Sequence, residues 1–239
     1  MTPEETLTQA TALLLDFDGP VCAVFAGIPV STVADQLRQV LADGGHANLP
    51  APIATSEDPF DVLRYAAELS ENDARLVEAA FTAHELEAVS TSTPTAGSHD
   101  LIKDWHASNR PIAIVSNNSV TAIQAYIDFY NLSSSIDYIS ARTGPDVRLL
   151  KPSPHLLNQA SAALDVAPGD AVFIGDSLTD IEAARIAGVH SIGYANKPEK
   201  SSAFADADAV THTMIELTAA FAESQRSKSE RSHEPGSYH

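Results

Sequence analysis

The stretch Leu13-Leu14-Leu15-Asp16-Phe17-Asp18-Gly19-Pro20 decides how the rest of the chain is read. An apolar run closed by Gly-Pro reads as a short buried strand that stops abruptly. Two carboxylates stand at its carboxyl end, where open α/β sheets place their ligands. Asp16 and Asp18 are two apart, so on an extended chain they project to the same side. Paired carboxylates repel each other unless a cation holds them, which points to a hard metal such as Mg2+. The same residues would also suit an acidic turn capping a strand. The short pattern alone does not separate the two.

The texture of the remaining chain does. Residues 111–116, 136–139, 171–174, 190–194 and 209–211 read as strands. Helical patterns at 99–109, 117–130, 153–164, 177–188 and 214–222 alternate with them. Such alternation predicts an α/β fold with a doubly wound, mostly parallel sheet. After a small hairpin or flap from residue 21, helical periodicity returns at 31–42, 59–69 and 72–89, with no strand pattern before Pro94. The expected division is a catalytic core of residues 1–20 and 94–222 with a helical insert at 21–93. Residues 223–239 contain no aliphatic side chain and balanced charges, so they are expected to be disordered.

With 239 residues the chain forms one large or two small domains. A formal net charge of -18 argues against nucleic acid or an anionic membrane as partner. Cys22 is the one cysteine, so no intrachain disulfide forms, which fits a reducing compartment. No apolar run reaches membrane-spanning length, and MTPEETLTQA lacks the positive start of a signal peptide. The expected location is the cytoplasm; the oligomeric state is unknown from sequence.

Three further clusters stand where strands are predicted to end: Ser116-Asn117, Lys151-Pro152 and Gly175-Asp176-Ser177-Leu178-Thr179-Asp180. In a parallel sheet such ends converge on one edge. That edge would gather the carboxylates of Asp16, Asp18, Asp176 and Asp180, one hydroxyl, one ammonium and a helix amino terminus. The inventory suits phosphoryl transfer, where catalysis is mostly positioning and charge neutralisation. Each residue also has a plainer use. Ser116 would cap the next helix, Lys151 would be a solvated lysine, and Asp180 would pair with Arg185 or favour its own helix terminus.

The four motifs, in this order, resemble the haloacid dehalogenase superfamily of phosphohydrolases. The helical insert after the first motif is similar to the cap of its phosphoglycolate-phosphatase-like branch. The resemblance runs over about residues 12–220, including Pro94-Thr95-Ala96-Gly97 and Ala183-Ala184-Arg185-Ile186-Ala187-Gly188. It implies a Rossmann-like core with an inserted all-helical cap domain, and a hydrolase acting on phosphoric monoesters with Mg2+ as cofactor. Asp16 would be the nucleophile that forms an aspartyl-phosphate, and Asp18 the general acid and base. Ser116, Asn117 and Lys151 would hold the phosphoryl group. Asp16, the Asp18 carbonyl, Asp176 and Asp180 would hold the metal. The partner would be a small-molecule phosphate ester, with cap loops choosing which one.

The alternatives are a phosphomutase of sugar phosphates, a dehalogenase-type hydrolase and a non-catalytic binding relative. Members of the dehalogenase branch lack the second aspartate, so Asp18 counts against it. Non-catalytic relatives typically lose the nucleophile or the metal ligands, and Asp16, Asp18 and Asp176 are present. One departure is Pro20, where the family has Thr or Val; it stiffens the exit toward the insert. The insert carries three arginines (Arg38, Arg64, Arg75) against eleven acidic residues, a formal balance of minus eight.

Overall fold

The computed structural model describes residues 1–197 and 200–232. The strands are β1 (Ala12–Leu15), β2 (Cys22–Ala23), β3 (Thr93–Pro94), β4 (Ile112–Ser119), β5 (Tyr138–Arg142), β6 (Ala171–Gly175), β7 (His190–Tyr194) and β8 (Ala209–Thr211). The helices of the amino-terminal half are α1 (Pro3–Gln9), α2 (Val30–Asp43), α3 (Ala51–Ala54), α4 (Pro59–Leu69), α5 (Glu71–Val89) and α6 (Ser98–Ala107). Those that follow are α7 (Val120–Phe129), α8 (His155–Ala163), α9 (Leu178–Ala187), α10 (Lys200–Ala203) and α11 (Met214–Ser232).

Six strands form one parallel sheet in the order β5-β4-β1-β6-β7-β8. The chain is therefore α/β, with a Rossmann-like sheet flanked by helices. Side-chain alternation explains the layering. Leu13 and Leu15 of β1, Ile112 and Ile114 of β4, and Val172 and Ile174 of β6 pack on one face with Leu101, Trp105, Tyr126 and Phe221. Ala12, Leu14, Ala113, Val115, Ala171 and Phe173 face the other side, toward Leu157 and Ala184. Both faces are apolar because helices cover both, as a parallel sheet requires. The buried strand β1 lies centrally, between β4 and β6. Its carboxyl end thus falls where the connections diverge to opposite sides, the usual ligand crevice.

The helices α2, α4 and α5 bury a separate cluster of Val33, Leu37, Leu41, Val62, Leu63, Val77 and Phe81. The insert therefore has an apolar core of its own. The expected local hairpin at its start is instead a two-residue strand, β2, paired antiparallel with β3 some seventy residues later. A turn-based reading misses this because the pairing is non-local. Gly19 makes the exit turn with φ +105°, a conformation glycine adopts without strain, and its N–H donates to the Cys22 carbonyl at 2.7 Å. The Thr95 hydroxyl donates to the Gly19 carbonyl at 2.5 Å, tying the returning chain to the outgoing one.

Several boundaries differ from expectation for identifiable reasons. The strand predicted to stop at Ser116 continues to Ser119, with a register shift against β5. Ser119, not Ser116, caps α7, accepting the Ala122 N–H. Pro29 occupies the N-cap of α2, so Ser31 lies within its first turn. The helix α1, not anticipated, is set by a Thr2–Glu5 capping box and Pro3. Residues 223–232 were expected to be disordered, but α11 continues to Ser232. Leu217 and Phe221 anchor the helix in the core, and the Ser, Glu, Gln, Lys and Arg residues beyond extend it at little cost. The rest of that expectation, residues 233–239, lies outside the described residues. No helix among the described residues is long and apolar enough to cross a membrane.

Candidate active site

Asp16 leaves the end of β1, Ser116 lies in β4, and Asp176 and Asp180 follow β6 at the start of α9. Lys151 arrives differently. It was expected at a strand end, yet β5 stops at Arg142 and Lys151 follows a 3-10 turn over Val147–Leu149. Asn117 brings it in: its Oδ1 accepts the Lys151 N–H at 2.8 Å and its Nδ2 donates to the Lys151 carbonyl at 3.1 Å. Asn117 was expected to touch substrate; in the structure its amide oxygen and one N–H bond to this loop.

The Lys151 ammonium is almost fully buried, 2.8 Å from Asp16 Oδ1 and 2.6 Å from Asp180 Oδ1. It also donates to the Val115 carbonyl at 3.2 Å. Burial works against its charge, but Asp16 and Asp180 outweigh that and hold its pKa above the ordinary lysine value. The solvated-lysine alternative is excluded by this geometry. Asp180 fills two roles at once. Its Oδ2 accepts the N–H groups of Asp176 and Ser177 and the Ser177 hydroxyl, completing a capping box on α9. Gly175 permits this, since a Cβ there would meet the Asp180 side chain at 2.4 Å.

Carboxylate oxygens of Asp16, Asp176 and Asp180 lie within 4.8 Å of one another, an arrangement able to hold a metal ion. Burial is the main force on Asp16, with Asp180 adding to it and Lys151 opposing, and its pKa rises to about 8. Asp176 is also raised, chiefly by burial, although Lys200 offsets it. Asp180 Oδ1 is buried and faces the Lys151 ammonium at 2.6 Å. These features fit a hard divalent cation: three carboxylates crowd together beyond what the lysines neutralise. The Gly19 turn belongs to the same cradle, because a Cβ there would meet the Asp176 carboxyl at 2.5 Å.

The Asp18 carboxylate stands apart from the trio. It accepts the Val24 N–H at 3.0 Å, at the entrance to the insert. Two-residue spacing predicted that Asp16 and Asp18 share a side, but the strand ends at Leu15 and the chain turns from Phe17, so it is no longer extended there. Burial raises the Asp18 pKa to about 6, tempered by the Val24 hydrogen bond. Ser116 is buried, its hydroxyl donating to Asn118 Oδ1 at 3.1 Å.

Five residues near the site were not anticipated. Lys200 Nζ lies 2.6 Å from Asp176 Oδ2, and Asn196 donates to the same oxygen at 3.2 Å. Arg142, buried at the end of β5, pairs with Glu85 at 2.6 Å and with Glu78, both on α5. A signal for Glu85 was present. Val77, Phe81, Glu85 and Ala88 follow helical spacing, so Glu85 is a carboxylate on the buried stripe of α5.

Comparison with known proteins agrees with this geometry. The chain is 27% identical over 122 residues to a bifunctional riboflavin kinase/FMN phosphatase of Arabidopsis thaliana, covering 51% of this chain and 32% of that one. It is 29% identical over 94 residues to a phosphoglycolate phosphatase of Salmonella paratyphi A, covering 39% and 36% respectively. The chain thus spans about a third of the length of these curated relatives. Among solved structures, CbbY from Rhodobacter sphaeroides in complex with phosphate superposes with a TM-score of 0.63 at 20% identity, over 89% of this chain and 99% of that one. A hydrolase from Pseudomonas syringae gives 0.65 at 17% identity, over 89% and 98%. These structures share the fold. The sequence profile of the haloacid dehalogenase-like hydrolases matches residues 55–194, which contain Ser116, Lys151, Asp176 and Asp180, and the chain belongs to that family.

Proposed function

We propose that this protein is a Mg2+-dependent phosphatase that removes phosphate from a small organic monophosphate through an aspartyl-phosphate on Asp16. One observation carries the proposal: the Lys151 ammonium, buried between Asp16 and Asp180, faces a trio of carboxylates on the carboxyl edge of the sheet. Asp16 Oδ1 accepts the Phe17 N–H at 2.7 Å and faces Lys151, so Oδ2 is the oxygen for attack on phosphorus. A carboxyl pushed to about 8 is mostly protonated at neutral pH and a poor nucleophile. The cation, held by Asp16, Asp176, Asp180 and the Asp18 carbonyl, would ionise Asp16 and neutralise phosphoryl charge.

Asp18 suits proton transfer. Its pKa of about 6 lies near neutrality, where one group can give a proton to the leaving alkoxide and later take one from water. Ser116 and Lys151 would hold the phosphoryl oxygens. Helices α2–α5 would act as the cap over the site, and contacts from them would select the ester.

The test is hydrolysis of p-nitrophenyl phosphate with and without Mg2+. Turnover should require the metal, and Asp16→Asn should lower it by several powers of ten, since an amide cannot form the acyl phosphate. Undiminished turnover in pure Asp16→Asn protein would end the proposal.

A further inference from the structure

Glu85 belongs to α5 of the insert, yet its side chain is completely buried against the sheet. Its Oε2 accepts the Ser119 N–H at 2.9 Å and contacts Arg142 Nη2 at 2.6 Å. Its Oε1 accepts Asn118 Nδ2–H at 3.0 Å. A carboxylate offers only acceptors, so it dictates which end of the Asn118 amide faces it. The Asn118 oxygen must then point the other way, where Oδ1 accepts the Ser116 hydroxyl at 3.1 Å. The Asn118 N–H closes the loop, donating to Ser116 Oγ at 3.3 Å.

We propose that Glu85 is a positioning residue that sets, from the helical insert and through Asn118, the Ser116 hydroxyl that holds the phosphoryl group. This rests on the phosphate-binding role given to Ser116 above. The hydroxyl has one proton, parked on Asn118 Oδ1 in the free protein. When a phosphoryl oxygen arrives, the O–H rotates to it while the Asn118 N–H keeps Oγ in place. The oxygen is already in place, so binding needs only a turn of the O–H, which is the advantage of preorganisation. Arg142 keeps the first link fixed. It grips Glu85 and, through Nε, donates to the Asn117 carbonyl at 3.1 Å, so the insert docks on the strand that carries Ser116.

The experiment uses the full chain with Mg2+. It measures kcat and KM for p-nitrophenyl phosphate, inhibition by inorganic phosphate, and melting temperature. The variants are Ser116→Ala, Asn118→Ala, Glu85→Gln and the double Ser116→Ala/Asn118→Ala. Asn118→Ala keeps the backbone N–H but removes the Oδ1 that holds Ser116 in its rotamer before phosphate arrives. It should therefore weaken phosphate inhibition and lower kcat/KM by up to about tenfold, the scale of one hydrogen bond. In the double variant that loss should vanish into the loss from Ser116→Ala, because both act on one hydroxyl. Glu85→Gln should show the same kinetic pattern with a lower melting temperature, since its NH2 would face the Ser119 N–H or Asn118 Nδ2. A purely structural role would lower the melting temperature and the active fraction but leave KM and phosphate inhibition unchanged. Additive losses, or unchanged phosphate inhibition in folded Asn118→Ala, would overturn the proposal even if Glu85→Gln does not fold. A silent Asn118→Ala beside a costly Ser116→Ala removes the relay alone. A silent Ser116→Ala removes the phosphate-binding role as well.

Discussion

Replacing Arg142 with methionine tests whether the insert is latched to the core by a buried charge. The Arg142 side chain is 1% exposed and its partner Glu85 is 0% exposed, so water screens this pair very little. Glu78, the second partner, is 16% exposed and contributes less. The guanidinium also lies 4.8 Å from the centre of the Phe81 ring. Methionine keeps most of the packing volume but leaves the Glu85 carboxylate with only Asn118 and the Ser119 N–H. Breaking a buried pair by removing one partner costs about 3–5 kcal/mol, because the other charge is stranded. For a chain of this size each kcal/mol moves the melting point by about 2–4 °C, which gives a fall of about 6–20 °C. Circular dichroism at neutral pH without added metal measures it. Arg75→Met serves as the control, since that arginine is 60% exposed and pairs with Glu71 across one helical turn. Its loss should stay below about 1 kcal/mol. Adding Glu85→Gln to Arg142→Met should recover part of the fall by removing the stranded charge. If Arg142→Met melts with the Arg75→Met control, the latch contributes no net stability and the reasoning is wrong.

Other outcomes follow from the charges at the site. The raised Asp16 and Asp18 carboxyls favour the protonated folded state, so their contribution is full below the ordinary carboxylate range. It is lost as pH rises through about 6 for Asp18 and about 8 for Asp16. Metal needs ionised Asp16, so the rise in melting temperature on adding Mg2+ should grow as pH rises toward about 8, with about 2.7 kcal/mol at a hundred times the dissociation constant. A pH-independent or absent shift by scanning fluorimetry would refute the site. Phe221 stacks on Trp105 at 4.8 Å and carries Arg110 over its ring, so Phe221→Ala should cost about 3–5 kcal/mol by chemical denaturation. A cost under 1 kcal/mol would mean that α11 does not anchor there. The three arginines of the insert are all paired with acidic side chains: Arg38 with Asp35, Arg64 with Asp61, and Arg75 with Glu71. Neutral or amine-bearing monophosphates should therefore show higher kcat/KM than bisphosphates or phosphoglycolate, and the reverse order would show that one of these arginines is released to substrate.

Much of the fold was legible in the sequence because its signals are local. The run Leu13–Leu15, the capping residue Ser177, and Gly188 in its left-handed C-cap state their roles within a few residues. The same holds for the carboxylates of Asp16, Asp176 and Asp180, whose strand-end positions follow from the alternation of strands and helices. Tertiary structure alone decided the rest. Lys151 reaches the site through a loop whose path Asn117 determines, and β2 finds its partner only after the whole insert has been built. Asp18 leaves the carboxylate trio because the chain already turns at Phe17. Glu85 and Arg142 lie far apart in sequence; helical spacing places Glu85 on the buried stripe of α5, but nothing local names Arg142 as its partner. A charge enters the interior only when its partner arrives with it, and that pairing is a property of packing, not of any one stretch of chain.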